Sequence, residues 1–172
     1  MAVGGRDIDA LTRATVTVAW LIAANKPFYP LYVWYLAGDA FHVALGAALS
    51  LPFFAAIPFL ARRSALAARI ALPVVGTIDT FIETMLLGQV SGTELFFAPC
   101  IMLAVLSFHP EEKWWQRGVV AFVAAGFLLS RALAAAPPPA FGESYLSTLL
   151  NINIFAVASL MAFLAIRYGG RR

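Results

Sequence analysis

The chain has 172 residues, 62% of them hydrophobic and 12% charged, with a mean hydropathy of +0.83. This excludes an ordinary soluble composition and makes the chain an integral membrane protein, with room for about six or seven spans of about 20 residues and none for an added globular domain. The net charge of +3 comes from basic residues at the ends of apolar segments, so no nucleic-acid partner is expected; the single cysteine, Cys100, excludes an intrachain disulfide, a CxxC pair and a thiolate zinc cluster.

The elements in chain order predict an all-α, polytopic six-transmembrane-helix bundle forming one domain over residues 1–172. Asp7 and Asp9 stand where an N-cap is needed, and helix one is expected over about 8–25. Its run Ala14 to Ala24 has the length of a signal-peptide core, but the acidic flank argues against that reading. Asn25-Lys26-Pro27-Phe28-Tyr29-Pro30 should break the helix, because each proline removes a donor and restricts its predecessor. The aromatic segment 27–37 then suits an interfacial or re-entrant position. Helix two is expected over 39–61 with kinks at Pro52 and Pro58, helix three over 64–89 and helix four over 93–108. His109 to Arg117 is a polar loop with paired tryptophans, helix five covers 118–136 up to Pro137-Pro138-Pro139, and helix six runs from 144 to 166.

Ten of the 12 basic residues (Arg6, Arg13, Arg62, Arg63, Arg69, Lys113, Arg117, Arg167, Arg171 and Arg172) fall at the termini or in the loops after helices two and four. By the positive-inside rule both termini are cytoplasmic, which requires an even number of spans, and a bacterial inner membrane is the expected location.

Within helix three, Asp79 and Glu83 lie four apart and so share one face, about 6 Å apart along the axis. An acid at membrane depth costs roughly 2.5 kcal/mol or more, so this face should line the bundle interior, a wet cavity or a partner charge. With the termini inside, Lys26, Asp39, His42, Glu94, Arg131, Glu143, Asn151 and Asn153 gather with them toward the outer side. The candidate ligand- or ion-binding set is therefore Asp79, Glu83, Arg131, His42, Glu94, Lys26 and Asn151. The alternative is a structural clamp in which Arg131 pairs with Asp79 or Glu83. His42 with Glu83 and Glu94 offers metal ligands in type, but without HxxxH or ExxH spacing, so no metal site is expected. No GxSxG, HExxH or Walker-type loop occurs, so no enzyme activity is expected and no cofactor is named by the residues.

Asn25-Lys26-Pro27-Phe28-Tyr29-Pro30-Leu31-Tyr32 with Trp34, and Thr93-Glu94-Leu95-Phe96-Phe97-Ala98-Pro99-Cys100, resemble the six-helix membrane sensor regions ahead of class III adenylate or guanylate cyclase domains in bacteria. The resemblance covers most of the chain and implies a receptor-like module that relays a signal to a cytoplasmic output domain. The sequence ends at Arg172, a few residues beyond helix six and without a cyclase domain, so cyclase activity is not expected of it; it reads as a free-standing relative or a fragment. The leading expectation is a membrane sensor or regulatory module with an outer-side polar pocket. It would act on a separate cytoplasmic or membrane partner and could form a homodimer in the lipid bilayer. The alternatives are a small proton- or cation-coupled transporter using Asp79 and Glu83, and a structural subunit of a membrane complex.

Overall fold

The computed structural model describes residues 9–37, 41–133 and 143–169. Of these 92% are helical, with no strand among them. Asp39, Pro137 to Pro139 and the expected helix ends at 8, 39 and 134–136 lie outside the described residues, as do the side chains of His42 and Glu143.

Helix α1 (Ala10–Asn25) is capped by Asp9, whose carboxylate accepts from the Thr12 amide at 3.0 Å and the Thr12 hydroxyl at 2.6 Å. The chain turns at Lys26 and Pro27, then resumes as α2 (Phe28–Ala37). Pro30 was expected to prevent regular helix here; it is tolerated because it sits in the first turn, where its missing N–H has no helical acceptor to lose. Expected helix two is divided into α3 (Phe41–Ala48) and α4 (Leu51–Arg63), with the break at Leu49 and Ser50. Pro52 consequently starts a helix instead of kinking one, while Pro58 lies inside α4.

Helix α5 (Ala65–Leu87) is capped by Ser64 and contains Pro73. Gly88 and Gly92, at φ 77° and 78°, turn the chain through two short 3-10 segments into α6 (Phe97–Leu106). A further 3-10 turn, Pro110–Glu112, leads into α7 (Lys113–Leu133), and α8 (Glu143–Tyr168) follows.

Among the described residues, four stretches are long and apolar enough to cross a membrane: Leu45–Arg63, Ala65–Leu87, Pro110–Leu133 and Ser144–Tyr168. The expected count of six is not reached by the helices themselves. Helix α1 has 16 residues, about 24 Å at helical rise, and the apolar stretch Thr93–Leu106 is also short of a roughly 30 Å hydrocarbon core.

Helix α5 is the centre, packed against α1, α3, α4, α6 and α7. On one side Leu72 and Ala68 join Val18, Phe54, Ile57 and Leu164 in the larger apolar core. On the other, Phe97, Cys100, Ala104, Val119 and Val123 form a second core against the α5 residues Ile70, Val74 and Phe81. Gly126 permits this second contact, since a Cβ there would lie 2.8 Å from the Thr77 methyl and 3.4 Å from the Phe97 ring.

At one end of the bundle Arg69 of α5, nearly fully buried, donates to Asp9 and to the Thr12 hydroxyl, both at 2.9 Å, and to Glu112. Glu112 also accepts from the His109 amide at 3.0 Å. Burial pushes the Asp9 carboxyl up, but the Thr12 hydrogen bonds and the nearby Arg69 and His109 outweigh it and hold its pKa below the usual value. One guanidinium thus ties the starts of α1 and α7 to α5.

The two glycines of α7 give a paired test of this packing. Gly126→Leu should cost about 1–3 kcal/mol by overpacking the α5 contact. Gly118→Ala, with no atom within 4 Å of the added methyl, should be neutral or slightly stabilising in the same denaturation assay.

Candidate functional site

The α5 residues Leu72, Gly76, Asp79, Thr80 and Glu83 form one stripe at helical spacing. They face a cavity of about 590 Å³. Leu21, Ile22, Asn25 and Lys26 close it from α1 and its following turn, Tyr29 and Tyr32 from α2, and Phe54 from α4. Pro99, Cys100 and Leu103 of α6 contribute another wall, and the opposite one is α8, through Ile152, Phe155, Ala156, Ser159, Leu160 and Phe163. Helices α5 and α8 have no extensive direct contact, and the cavity occupies the space between them. From Leu72 to Glu83 it follows α5 for about 16 Å at helical rise.

Its polar residues are concentrated at one end. Lys26 Nζ lies 2.5 Å from Asp79 Oδ2 and 2.6 Å from Glu83 Oε1, with side-chain exposures of 9%, 12% and 10% for the three residues. The ammonium also stands 5.8 Å from the centre of the Phe54 ring, whose face favours a cation. Its position follows from the local chain: Lys26 ends α1, its amide donating to Ile22 at 3.0 Å, and Pro27 prevents the helix from continuing. Each carboxylate uses one oxygen on Lys26. Asp79 Oδ1 and Glu83 Oε2 take no hydrogen bond among the described residues.

Beyond the charges, Tyr29 is placed beside Glu83, Asn153 and Tyr145. Asn153 donates from Nδ2 to the Ser91 carbonyl at 2.9 Å, fixing α8 to the turn after α5. In that turn the Ser91 and Thr93 hydroxyls lie 3.0 Å apart, and Thr93 reaches Thr84 at 3.4 Å. A second buried relay closes the far end of α8. Thr15 donates its hydroxyl proton to the Leu11 carbonyl at 3.0 Å, so the Tyr168 hydroxyl, 3.1 Å away, must donate to Thr15. Ser107 in turn donates to Tyr168 at 3.3 Å, and Arg167 donates to Thr17 at 2.9 Å.

The MASE7 family profile matches residues 7–171. The chain belongs to the MASE7 family. MASE domains are membrane-associated sensor domains, and the match itself carries no tie to cyclases. Comparison with curated proteins and with solved structures finds no match.

Of the sequence-derived site residues, the MASE7 fold brings Lys26, Asp79 and Glu83 together. Arg131 does not join them: its Nη1 lies 3.1 Å from Glu94 Oε1 and 3.4 Å from Gln89 Oε1, and its side chain is 53% exposed. The expected clamp of Arg131 on Asp79 or Glu83 is therefore replaced by Lys26. Helix α7 packs on the Thr77 and Phe81 side of α5, whereas Asp79 and Glu83 are turned about half a helical revolution away. Asn151 is exposed, and its neighbour Asn153 is buried. His42 lies on α3, its side chain outside the described residues. No group of three or more metal-ligating side chains occurs among the described residues. Sequence reasoning did not single out Tyr29, Tyr32, Tyr168 or Arg69. Tyr29 and Tyr32 read as interface aromatics, Arg69 as a topology charge and Tyr168 only as a residue after helix six; packing alone shows them buried or lining the cavity.

Exchanging the two cations should separate site from surface. Lys26→Met leaves two enclosed carboxylates without a counter-charge and should cost about 3–5 kcal/mol, most of it recovered when Asp79→Asn and Glu83→Gln are added. Arg131→Gln should cost roughly 0.5 kcal/mol or less in the same unfolding measurement.

Proposed function

We propose that this MASE7 domain is a bacterial inner-membrane sensor in which occupancy of the α5–α8 cavity, entered from the outer side, is relayed through α8 to an output partner in the cytoplasm. One observation carries the proposal: α8 is both a wall of the cavity, from Ile152 to Phe163, and the helix whose last residue, Tyr168, is held by Thr15 and Ser107. Six residues of α8 line the cavity between Ile152 and Phe163, and Tyr168 lies five residues beyond the last of them. An occupant that displaces α8 from α5 therefore acts on the Tyr168 contacts through one continuous helix. Such a ligand shifts the equilibrium only by its difference in affinity for the two α8 positions.

The distribution of basic residues supports a six-pass arrangement with Tyr168 on the cytoplasmic side, where α1 and α6 complete the count as short passes. The resemblance to membrane regions ahead of class III cyclases supports a cytoplasmic output protein as the partner. In this reading Lys26, Asp79 and Glu83 are the polar end of a binding site and do not form a conduction path.

Amide hydrogen exchange in lipid nanodiscs tests the relay. Ala156→Phe, which fills the cavity from α8, should change protection of residues 164–169 by about fivefold or more, with residues 119–130 of α7 unaffected. Adding Tyr168→Phe should abolish that response. Unchanged exchange at 164–169, or an equal change throughout the protein, would contradict a relay through α8.

A further inference from the structure

The cavity's chemistry narrows what it can hold, taking the sensor reading above as its basis. With all three groups ionised, the Lys26, Asp79 and Glu83 cluster carries one net negative charge. The Lys26 ammonium is already engaged by both carboxylates and is largely enclosed, so it has little to offer an anionic ligand. What remains open is on the acceptor side. Glu83, more than nine-tenths buried, and Asp79 each retain one oxygen without a protein donor among the described residues, and both residues line the cavity. A carboxylate oxygen in an apolar enclosure requires a donor, and a charged donor satisfies it most strongly.

Apart from Ser159 of α8, the rest of the cavity is apolar, and it is elongated. Below the cluster it is walled by Leu72, Leu103, Phe155, Leu160 and Phe163, and it follows α5 for about 16 Å. Its volume of about 590 Å³ lies within the ordinary range for a small-molecule site. We infer that the cavity binds a single-chain amphiphile with a protonated primary amine as its head, the N–H groups donating to Asp79 and Glu83 and the apolar tail lying between α5 and α8. Anionic amphiphiles are rejected by the excess carboxylate. A quaternary ammonium carries the charge but has no proton to donate.

The test uses the full chain in phosphatidylcholine nanodiscs, with unfolding followed by intrinsic tryptophan fluorescence. Dodecylamine should raise the unfolding midpoint saturably, by about 5 °C at concentrations far above its dissociation constant. Dodecanoate should give no such rise, and dodecyltrimethylammonium a much smaller one. The response should be lost in Ala156→Phe, which blocks the tail and keeps the charges, and in the Asp79→Asn, Glu83→Gln pair. If lysophosphatidylethanolamine, a single-chain lipid with the same primary amine, is added to the discs and the dodecylamine response disappears, the same amine site is filled from the bilayer. An equal rise with dodecyltrimethylammonium, or a dodecylamine rise that persists in Ala156→Phe, would overturn the assignment. A rise with dodecanoate alone that Ala156→Phe abolishes would overturn the amine head while leaving the sensor reading intact. If no probe shifts the midpoint and Ala156→Phe leaves exchange at 164–169 unchanged, both fall.

Discussion

Two carboxylates on one face of a membrane helix require a counter-charge, and the bridge from Lys26 to Asp79 and Glu83 supplies it. The penalty for enclosing these groups is several kcal/mol per ion, and only close geometry offsets it. Much of the fold serves that geometry. Helix α1 has to end at Asn25 so that Lys26 can turn inward, and Pro27 ensures that it does. Phe54 of α4 backs the ammonium, and α2 covers the site with Tyr29 and Tyr32.

The same constraint accounts for the cavity. Small or polar residues on the α5 stripe, Gly76, Thr80 and the two acids, do not extend far enough to meet α8. Helix α8 is instead tied on either side of the cavity, by Asn153 in its interior against the turn after α5 and by its last residue, Tyr168, against Thr15 and Ser107. Between them α8 packs on α6 and α1 but leaves its α5-facing side to the cavity, so it can respond to what fills the gap. A second ionic cluster, Arg69 with Asp9 and Glu112, fixes the helix starts at the opposite end of α5 and leaves α8 out. The charges of the chain thus anchor α1, α5 and α7 to one another, and α8 is secured mainly by neutral hydrogen bonds and apolar contacts.

The sequence made some of this legible and some not. Hydropathy and helical periodicity are local properties, so the helices and the shared face of Asp79 and Glu83 could be read directly. The partner of those acids could not. Depth along the axis favoured Arg131, but which side of α5 faces α7 is decided by Gly126 against Thr77, a contact between residues far apart in the chain. Lys26 entered the candidate set by its depth alone, with no sign that it would take the place given to Arg131 as the acids' partner. Arg69 followed a run of topology charges and proved to be a buried tie. Counting six spans from apolar stretches ignored the length that the 3-10 turns take from α6, and so overstated what the helices alone can cross.

The most direct test of the central interaction is a double-mutant cycle between Lys26 and Glu83, measured as unfolding free energy in a lipid environment with Lys26→Met, Glu83→Gln and the pair. A bridge of this kind predicts a coupling of about 1.5 kcal/mol or more, with the double variant closer to wild type than the sum of the singles. Additivity within about 0.5 kcal/mol would mean that the two groups do not sense each other, and the account of the site built on their contact would be wrong.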